Sequence, residues 1–422
     1  MFPRPRQRHR FSVAVAASLA LCAVTAAVAP VAVADEKLPP ELYGKGDPKF
    51  DGVWRQSVAL LALDAAGAKP SPKAVSWLST QQCEDGSFPA YRADPKAKCD
   101  AKKTPADVNA TAIAVQALSA SIGGPNAGTD KALDWLKSVQ NKDGGWGYNP
   151  GSPSDANSVS VVVGALVAAG KDPAAWKKDG KTAFDALLSF QIDKDTKDAK
   201  KDAYGAFAYQ PGKGDKLDPN DDATAAAVLA GMRQGLALSG DKEGHGASPK
   251  KEAEKGADYL TATLKKNDGH LVAVTPGAKD KGKGKGQPDY ANTADAVIAL
   301  SAAGRKDEAK KSLDWLGDNL GKWDKAKDDP AALGILILAN RATTNGDPAQ
   351  LGGTDLLKRL TATGPKPAAM PSHEKKGEED KKEDKKDDDG GSLPTWSFIV
   401  VGVAAGAGIG IWLSGRRKKQ SL

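Results

Sequence analysis

The stretch from Trp135 to Gly147 reads W-L-K-S-V-Q-N-K-D-G-G-W-G, and its pattern decides the fold. The tryptophan–leucine pair and Gln140 fall near one stripe at helical spacing. Gly144 is expected to end the helix, because glycine adopts the left-handed conformation of a helix C-terminus without steric cost. Trp146 follows the turn and is expected to pack back on the helix. The stretch therefore predicts a helix, a tight turn and a buried aromatic side chain.

This pattern recurs along the chain. A second full copy has the same internal offsets and consists of Trp77-Leu78, Gln82, Asp85-Gly86 and Phe88. Three weaker copies contain Leu187-Leu188 with Gln191, Tyr259-Leu260 with Asp268-Gly269, and Trp315-Leu316 with Trp323. Successive leucines of the pattern lie 58 residues apart at Leu78 and Leu136, and 56 apart at Leu260 and Leu316. Self-similarity at such a period predicts an array of helical repeats.

Two kinds of helix alternate in the array. One kind is rich in Ala, Val, Leu and Ile on nearly all sides, which indicates burial on both faces; these helices are predicted at Trp54–Ala66, Asp107–Ala120, Asp155–Ala169, Asp221–Leu238, Asn292–Ala303 and Pro330–Asn340. The other kind is amphipathic and bears lysines, at Ser71–Gln82, Thr129–Gln140, Thr182–Gln191, Pro249–Lys265, Asp307–Leu320 and Thr354–Ala362. Six inner and six outer helices predict an all-α fold that closes into a double-walled barrel. An open solenoid would need polar capping repeats at both ends, and the end repeats are no more polar than the others.

The repeated pattern resembles the QW repeat of the prenyltransferase and squalene/hopene cyclase superfamily. The repeat reads Lys-x-x-x-Trp-Leu-x-x-x-Gln-x-x-Asp-Gly-x-Trp, which Lys131 to Trp146 matches throughout; Lys73 to Phe88 matches it with phenylalanine in the last place. The resemblance implies an α/α toroid of six helical hairpins. Terpenoid cyclases, protein prenyltransferase β subunits, thioester-containing complement proteins and cobalamin carriers such as transcobalamin share that fold. Function therefore has to be argued from the residues of each branch.

Composition divides the chain into five segments. Residues 1–34 carry four arginines, an apolar run and Ala32-Val33-Ala34, which is typical of a secretory signal peptide. Residues 35–363 form the predicted extracytoplasmic toroid, and residues 364–392 a charged linker that is expected to be disordered. Residues 393–415 contain an apolar run long enough for one transmembrane helix, and the basic tail 416–422 is expected in the cytoplasm. These segments predict a single-pass membrane protein whose folded part lies outside the cell.

The formal net charge of +7 does not indicate nucleic-acid binding. The signal peptide holds four basic residues and the C-terminal tail another four, so 7 − 8 = −1 remains for everything between. Because the ectodomain has no excess of basic residues, we expect no nucleic-acid partner.

Enzymatic branches of the superfamily need acidic or metal-binding residues. Asp218 to Ala225 approximates the cyclase motif Asp-x-Asp-Asp-Thr-Ala through the pair Asp221-Asp222, but it has an extra residue on either side of the pair. Similar segments precede neighbouring inner helices at Asp107–Ala112 and Asp155–Ser158, and Asp or Asn at such places typically caps a helix. We therefore predict capping residues here, and an acid catalyst is the alternative.

Cysteine and histidine spacing excludes the zinc site of protein prenyltransferases. Outside the signal peptide the chain has two cysteines, Cys83 and Cys99, and neither lies near a histidine at ligand spacing. The thioester motif Cys-Gly-Glu-Gln is absent as well. In an oxidising compartment the two cysteines predict a disulfide. We expect no metal and no cofactor.

The remaining branch is binding, at the end of the toroid where the Asp-Gly turns lead to the inner helices. Tyrosines and polar residues at the starts of inner helices are expected to surround an apolar hole there: Tyr91, Asn109, Tyr148, Asn157, Tyr209, Asp221, Asp222, Tyr290 and Asn292. Four of these residues are expected to be the helix caps themselves: Asn109, Asn157, Asp222 and Asn292. The leading hypothesis is a non-catalytic toroid that binds a small molecule, such as a corrinoid, and passes it to a transporter with a partner subunit. The alternatives are a divergent cyclase-like or glycan-processing enzyme with rim carboxylates, and a structural protein of the cell envelope.

Overall fold

The computed structural model describes residues 38–239, 247–273, 286–344 and 346–371. Within these residues twelve α-helices follow one another: α1 (Gly52–Ala65), α2 (Pro72–Thr80), α3 (Val108–Ser121), α4 (Ala127–Ser138), α5 (Ala156–Ala168), α6 (Ala183–Leu188), α7 (Asp221–Gly231), α8 (Lys250–Lys266), α9 (Tyr290–Ala302), α10 (Lys306–Asn319), α11 (Pro330–Thr343) and α12 (Leu356–Thr361). The odd-numbered helices form an inner wall in which each packs against the next, and α11 packs against α1. Each even-numbered helix packs outside the inner helix before it. The predicted closed barrel of six inner and six outer helices is confirmed.

The two walls differ in burial as their sequences predict. On the inner helix α3 all residues from Val108 to Ser119 except Asn109 are buried, because neighbours cover the helix on both sides. The outer helix α8 buries Ala253, Ala257, Leu260 and Leu264, which lie at intervals of three or four residues along one face. The barrel is therefore built from buried inner helices and amphipathic outer ones.

In two repeats the glutamine of the pattern joins its own turn to the next outer helix. The Nε2 atom of Gln82 donates a hydrogen bond to the carbonyl of Gly86 in its own Asp-Gly turn, at 3.0 Å, and another to Gly128 at the start of α4, at 2.8 Å. Gln191 likewise donates to the carbonyl of Glu252 in the first turn of α8, at 2.8 Å. Gln191 also donates to the carbonyl of Gly205, at 3.3 Å, so in both repeats one amide group serves the turn and the next outer helix.

Short antiparallel strand pairs, which the helical pattern did not predict, fasten several connections. They are β1 (Phe88–Pro89) with β2 (Ala106–Asp107), β3 (Lys177–Lys178) with β4 (Lys181–Thr182), β5 (Leu271–Val272) with β6 (Pro288–Asp289), and β7 (Gln350–Leu351) with β8 (Thr354–Asp355). The pairs β1–β2 and β5–β6 bring the aromatic or apolar residue after an Asp-Gly turn beside the residue that begins the next inner helix. They fix the position of the inner-helix N-termini.

The largest difference from the predicted helices is at the end of α7. The helix was expected to continue to Leu238, but it ends at Gly231, and Arg233 takes a left-handed backbone conformation with φ of +55°. A helix cannot continue through a residue in that conformation. The chain from 232 to 238, here called the plug segment, turns toward the axis of the barrel instead.

Smaller differences concern helix ends. The outer helix expected at Thr182–Gln191 has only six residues in α6, and α9 begins at Tyr290 rather than at Asn292. Gly144 does adopt a left-handed conformation with φ of +88°, but α4 already ends at Ser138. The glycine therefore belongs to the Asp-Gly turn and does not end the helix.

The predicted disulfide between Cys83 and Cys99 is confirmed. It closes a loop around the guanidinium of Arg92, a residue that is only 6% exposed. That guanidinium donates hydrogen bonds to backbone carbonyls on both sides of the loop, including those of Gln82 at 2.7 Å and Ala97 at 2.6 Å. The loop is thus held by one covalent bond and by the hydrogen bonds of one buried cation.

The predicted signal peptide, transmembrane helix and basic tail lie outside the described residues and stay predictions. Of the linker predicted at 364–392, residues 372–392 also lie outside, but residues 364–371 are described and are bonded to the toroid: the Tyr43 hydroxyl donates to the carbonyl of Pro365 at 2.7 Å, and Lys69 pairs with Ala369. Within the described ranges, each helix is either too short or too polar to span a bilayer.

Candidate ligand-binding site

The inner helices begin with side-chain caps at the mouth of the barrel. Asp107 accepts a hydrogen bond from the backbone N–H of Ala110, and Asp155 accepts one from that of Ser158, so the predicted capping by aspartate is confirmed at both places. The cap of α7 is Asn220, not the predicted Asp222. Because one side chain suffices for the cap, the polar residue two positions later is free to point elsewhere.

Three polar residues two positions after a cap line a central cavity of about 210 Å³. They are Asn109 on α3, Asn157 on α5 and Asp222 on α7, and the expectation that these residues themselves cap the helices was therefore wrong. The Nδ2 atom of Asn157 donates a hydrogen bond to Asp222 Oδ2 at 2.5 Å. These side chains project into the barrel because an inner helix turns through about 200° in two residues, away from the cap.

Sequence reasoning missed most of the other lining residues, and two of them bear on function. These are Trp54 on α1 and Asp295 on α9. Asp295 is the one acidic residue within the apolar stretch T-A-D-A-V-I-A-L of residues 293–300, and a lone acid in a helix that is apolar all round was the signal that could have indicated it. No signal marked Trp54, because a tryptophan in an inner helix is also compatible with core packing.

Burial raises the pKa of both carboxyl groups in the cavity. Burial raises the pKa of Asp295 well above its usual range, and the neighbouring carboxylates of Asp222 and Asp289 raise it further. The pKa of Asp222 is raised by burial as well, which the hydrogen bond from Asn157 partly offsets. None of the described residues that line the cavity is basic, so no side chain there neutralises the two carboxylates.

Two tyrosines lie at the mouth as predicted. Tyr148 is 44% exposed and Tyr209 is 41% exposed. The hydroxyl of Tyr148 is hydrogen-bonded to the carboxyl of Asp107, and that of Tyr209 to Asp155. Each tyrosine therefore contacts the cap of the preceding inner helix, which gives its hydroxyl the polar partner that a half-buried tyrosine needs.

Other predicted rim residues lie elsewhere. Tyr91 stacks on Trp77 with ring centroids 6.4 Å apart, and Tyr290 packs among outer aromatic rings, 5.4 Å from that of Trp323. Asn292 donates to Asp289 Oδ2 at 2.8 Å, next to its own helix cap. These three residues are outside the cavity wall.

The pair Asp221-Asp222 does not converge on one point. Tyr259 on the outer helix α8 donates its hydroxyl proton to Asp221 Oδ1 at 2.8 Å, whereas Asp222 lines the cavity. Consecutive residues on a helix point about 100° apart, so their side chains leave in different directions. The sequence pair is therefore separated, and Asp222 and Asp295 are the carboxylates that the fold brings together.

The plug segment lines the cavity at the end opposite the mouth. The backbone N–H of Leu236 donates to Gln116 Oε1 at 3.1 Å, while Gln116 Nε2 donates to the carbonyl of Val161 on α5, also at 3.1 Å. Gly235 packs against the side chain of Gln116 so closely that a Cβ atom there would collide with it. The glycine is needed for this approach, which lets the segment pass close to α3 and α5.

A second pocket, of about 250 Å³, adjoins the cavity at the mouth and shares Trp54 and Asn109 with it. Phe50, Ala90 and Tyr148 are among its other walls, and Phe50 is 86% exposed. Both spaces have mainly apolar walls, and the inner one is the more polar of the two. In the described part of the chain, no group of His, Cys, Asp and Glu residues is placed to hold a metal ion.

Asp295→Asn is expected to stabilise the protein, by an amount that increases between about pH 4 and about pH 8. The pKa of Asp295 is higher in the folded protein than in the unfolded chain, so folding favours its protonated form. The resulting stability is fully present below the pKa of the unfolded chain. It is lost as the pH rises through the pKa of the folded protein. The uncharged asparagine avoids this loss, and we expect a gain of roughly 0.5–2 kcal/mol at the upper pH. Melting temperatures across the pH range measure it.

The matched control is Asp318→Asn, which removes the same charge from an exposed position on α10. It should show no gain that increases with pH. A gain at Asp318 as large as that at Asp295 would contradict the assignment of the effect to the cavity.

Comparisons with known proteins agree with the architecture. Residues 54–218 match the family model described as the prenyltransferase alpha-alpha toroid domain. Among solved structures, the chain is similar to that of a protein from Actinoplanes, with 14% identity, a TM-score of 0.41, and coverage of 70% of this chain and 78% of that one. It is also similar to ent-copalyl diphosphate synthase from Streptomyces platensis, with 17% identity and a TM-score of 0.43. That match covers 69% of this chain and 49% of the synthase, about half its length.

The search of curated proteins returned no match. The family model covers the first three hairpins, including both full copies of the QW pattern. The resemblance drawn from the repeats is thereby confirmed for residues 54–218, which match the prenyltransferase alpha-alpha toroid domain.

Proposed function

We propose that the toroid is a binding domain for a small molecule that enters at the mouth and lies in the central cavity. One observation carries the proposal: the Oδ1 atoms of Asn109 and Asn157 are buried at the cavity and have no hydrogen-bond partner among the described residues. Buried polar atoms without a partner are rare in folded proteins, because each costs about 1–3 kcal/mol. A ligand or water with matching polar groups would supply the missing partners.

The size of the cavity limits the ligand. At about 210 Å³ it is smaller than the roughly 300–1,000 Å³ typical of sites for drug-sized molecules. A corrinoid would have to lie across the mouth, so the cavity favours a smaller molecule. Delivery to a transporter with a partner subunit remains a prediction, as does the membrane anchor that would hold the toroid outside the cell.

A cyclase-like enzyme is the second candidate, and Asp295 is the observation that favours it. A carboxyl group with a raised pKa that faces a largely apolar space is a suitable proton donor. The glycan-processing alternative relied on Asp221 and Asp222 together, and their separation leaves it without that pair. A structural role in the cell envelope makes no use of the cavity and remains an untested alternative.

The proposal is tested by filling the cavity. A library of neutral and charged fragments is screened by ligand-detected NMR against the full chain and against Ala226→Phe, whose new ring would occupy the cavity beside Asp222. We expect wild type to bind a subset of fragments and the variant to lose most of them. Ser160→Leu, which fills the cavity from α5, serves as a second variant if the first does not fold.

The control is Ala101→Phe, which adds the same ring at an exposed position just after the disulfide loop and should bind all the fragments that wild type binds. Melting temperatures show that the compared variants are folded. Fragments that bind equally to wild type and to a folded cavity-filled variant would contradict a ligand site in the barrel.

A further inference from the structure

We infer that the ligand of the central cavity carries a primary ammonium group attached to a short apolar body. The inference rests on the proposed function, because it names the chemical class of the molecule in that same cavity. It follows from the charges, the hydrogen-bonding groups and the shape of the space, taken in turn.

The charge of the cavity favours a cation. Asp222 and Asp295 both line it, and the described lining residues include no lysine, arginine or histidine. Walls of low polarity strengthen the attraction between a carboxylate and a cation, since little water is present to screen it. An anionic ligand would meet two carboxylates and no compensating donor, so phosphates and carboxylic acids are disfavoured.

The hydrogen-bonding groups favour an N–H donor over a quaternary cation. Asn157 already uses its Nδ2 atom on Asp222, at 2.5 Å, and its buried Oδ1 atom accepts nothing from the described residues. Asn109 Oδ1 is also buried and accepts no hydrogen bond from the described residues. The cavity thus offers two amide oxygens and two carboxyl groups as acceptors. A primary ammonium has three donors and no acceptor, which matches that set.

The shape of the cavity and its mouth pocket favours an apolar body on the ligand. Trp54 borders both the inner cavity and the mouth pocket, so its ring lies beside the route between them. An indole ring attracts a nearby cation through its negative face and also packs well against apolar groups. The mouth pocket continues past Phe50 and Ala90, which can cover an aliphatic or aromatic body. The ammonium would then lie inside and the body toward the mouth.

Two nearly isosteric probes test the inference on the full chain by isothermal titration calorimetry: 2-phenylethylamine, which is a cation at neutral pH, and neutral 2-phenylethanol. We expect the amine to bind at least about tenfold more tightly, because only the amine forms charge-assisted hydrogen bonds. Asp295→Asn and Asp222→Asn should each lower the affinity for the amine by about tenfold or more. Neither substitution should change the affinity for the alcohol much. Asp318→Asn, exposed on α10, should leave both affinities unchanged.

The pH dependence adds an independent readout. Affinity for the amine should increase from about pH 5 to about pH 8, because the carboxyl groups must ionise to pair with the ammonium. Affinity for the alcohol should not follow that trend.

The inference is overturned if the amine does not bind, if the alcohol binds as tightly as the amine, or if neither aspartate substitution lowers the affinity for the amine. None of these results would contradict the proposed binding function, because fragment binding to the cavity-filled variants tests that function separately. If fragments of another class bind and Ala226→Phe abolishes their binding, the cavity is a ligand site and the ammonium assignment is wrong.

Discussion

Replacing Gly144 with alanine is expected to lower the free energy of unfolding by about 3–5 kcal/mol. Gly144 has a φ of +88°, which disfavours any residue with a Cβ atom. A Cβ atom there would also lie well inside van der Waals contact with the carbonyl group of Thr182, at the start of α6. The backbones would have to separate, which would strain the hydrogen bond from Gln140 Nε2 to the Gly144 carbonyl, now 2.7 Å long. Chemical denaturation of the full chain measures the loss.

Gly180→Ala is the matched control for this substitution. Gly180 has a similar φ of +81°, but a Cβ atom there would meet nothing within 4 Å. We therefore expect only the conformational cost of about 1–2 kcal/mol. Equal losses at the two positions would show that the close approach between repeats does not matter. Alanine at Gly86 or Gly205 should behave like alanine at Gly144, since both glycines make the same approach to the next outer helix.

Trp146→Ala is expected to destabilise the toroid by about 3–5 kcal/mol, because it empties the space of a large, fully buried side chain. The indole Nε1 atom of Trp146 donates to the carbonyl of Leu136 at 2.7 Å. Trp146→Phe should cost less, about 1–2 kcal/mol, through the lost hydrogen bond and the smaller volume. Phe88 and Phe207 occupy the corresponding places in other repeats and are equally buried, which shows that the site accepts phenylalanine.

The control for Trp146 is Trp176→Ala. Trp176 is only partly buried, and the Lys137 Nζ atom lies 5.2 Å from its ring centroid. Its loss should cost about 1 kcal/mol. If Trp146→Phe proved as harmful as Trp146→Ala, the hydrogen bond rather than the packing would dominate this position, and the comparison between repeats would be misleading.

The architecture was predictable because the features that determine it are local and repeated. Helical spacing distinguished the buried inner helices from the amphipathic outer ones, and six copies of that alternation predicted a ring. The buried role of Trp146 followed from its place after the Asp-Gly turn, and Phe88 fills the same place in the second full copy. The disulfide between Cys83 and Cys99 was predictable from the number of cysteines and from the oxidising compartment expected for this chain.

The candidate site was only partly predictable. Asn109, Asn157 and Asp222 were identified as mouth residues, but as helix caps; the caps lie two residues earlier, and the cavity receives these side chains instead. Tyr148 and Tyr209 lie at the mouth, whereas Tyr91 and Tyr290 pack on tryptophans of outer helices. A sequence position near a helix start does not determine on which side of the helix the residue lies.

The sequence by itself determined which segments are helices, which wall each belongs to and how the repeats join, because those properties depend on neighbours within one repeat. Only the tertiary structure decided which residues face the axis of the barrel. An inner helix that is apolar on every side carries no pattern that orients it, so the inward direction of Asp295 depends on packing against two other helices. The plug segment likewise depends on a contact between Leu236 and Gln116, which are 120 residues apart. Contacts over such distances are made by the closed ring, and no local spacing encodes them.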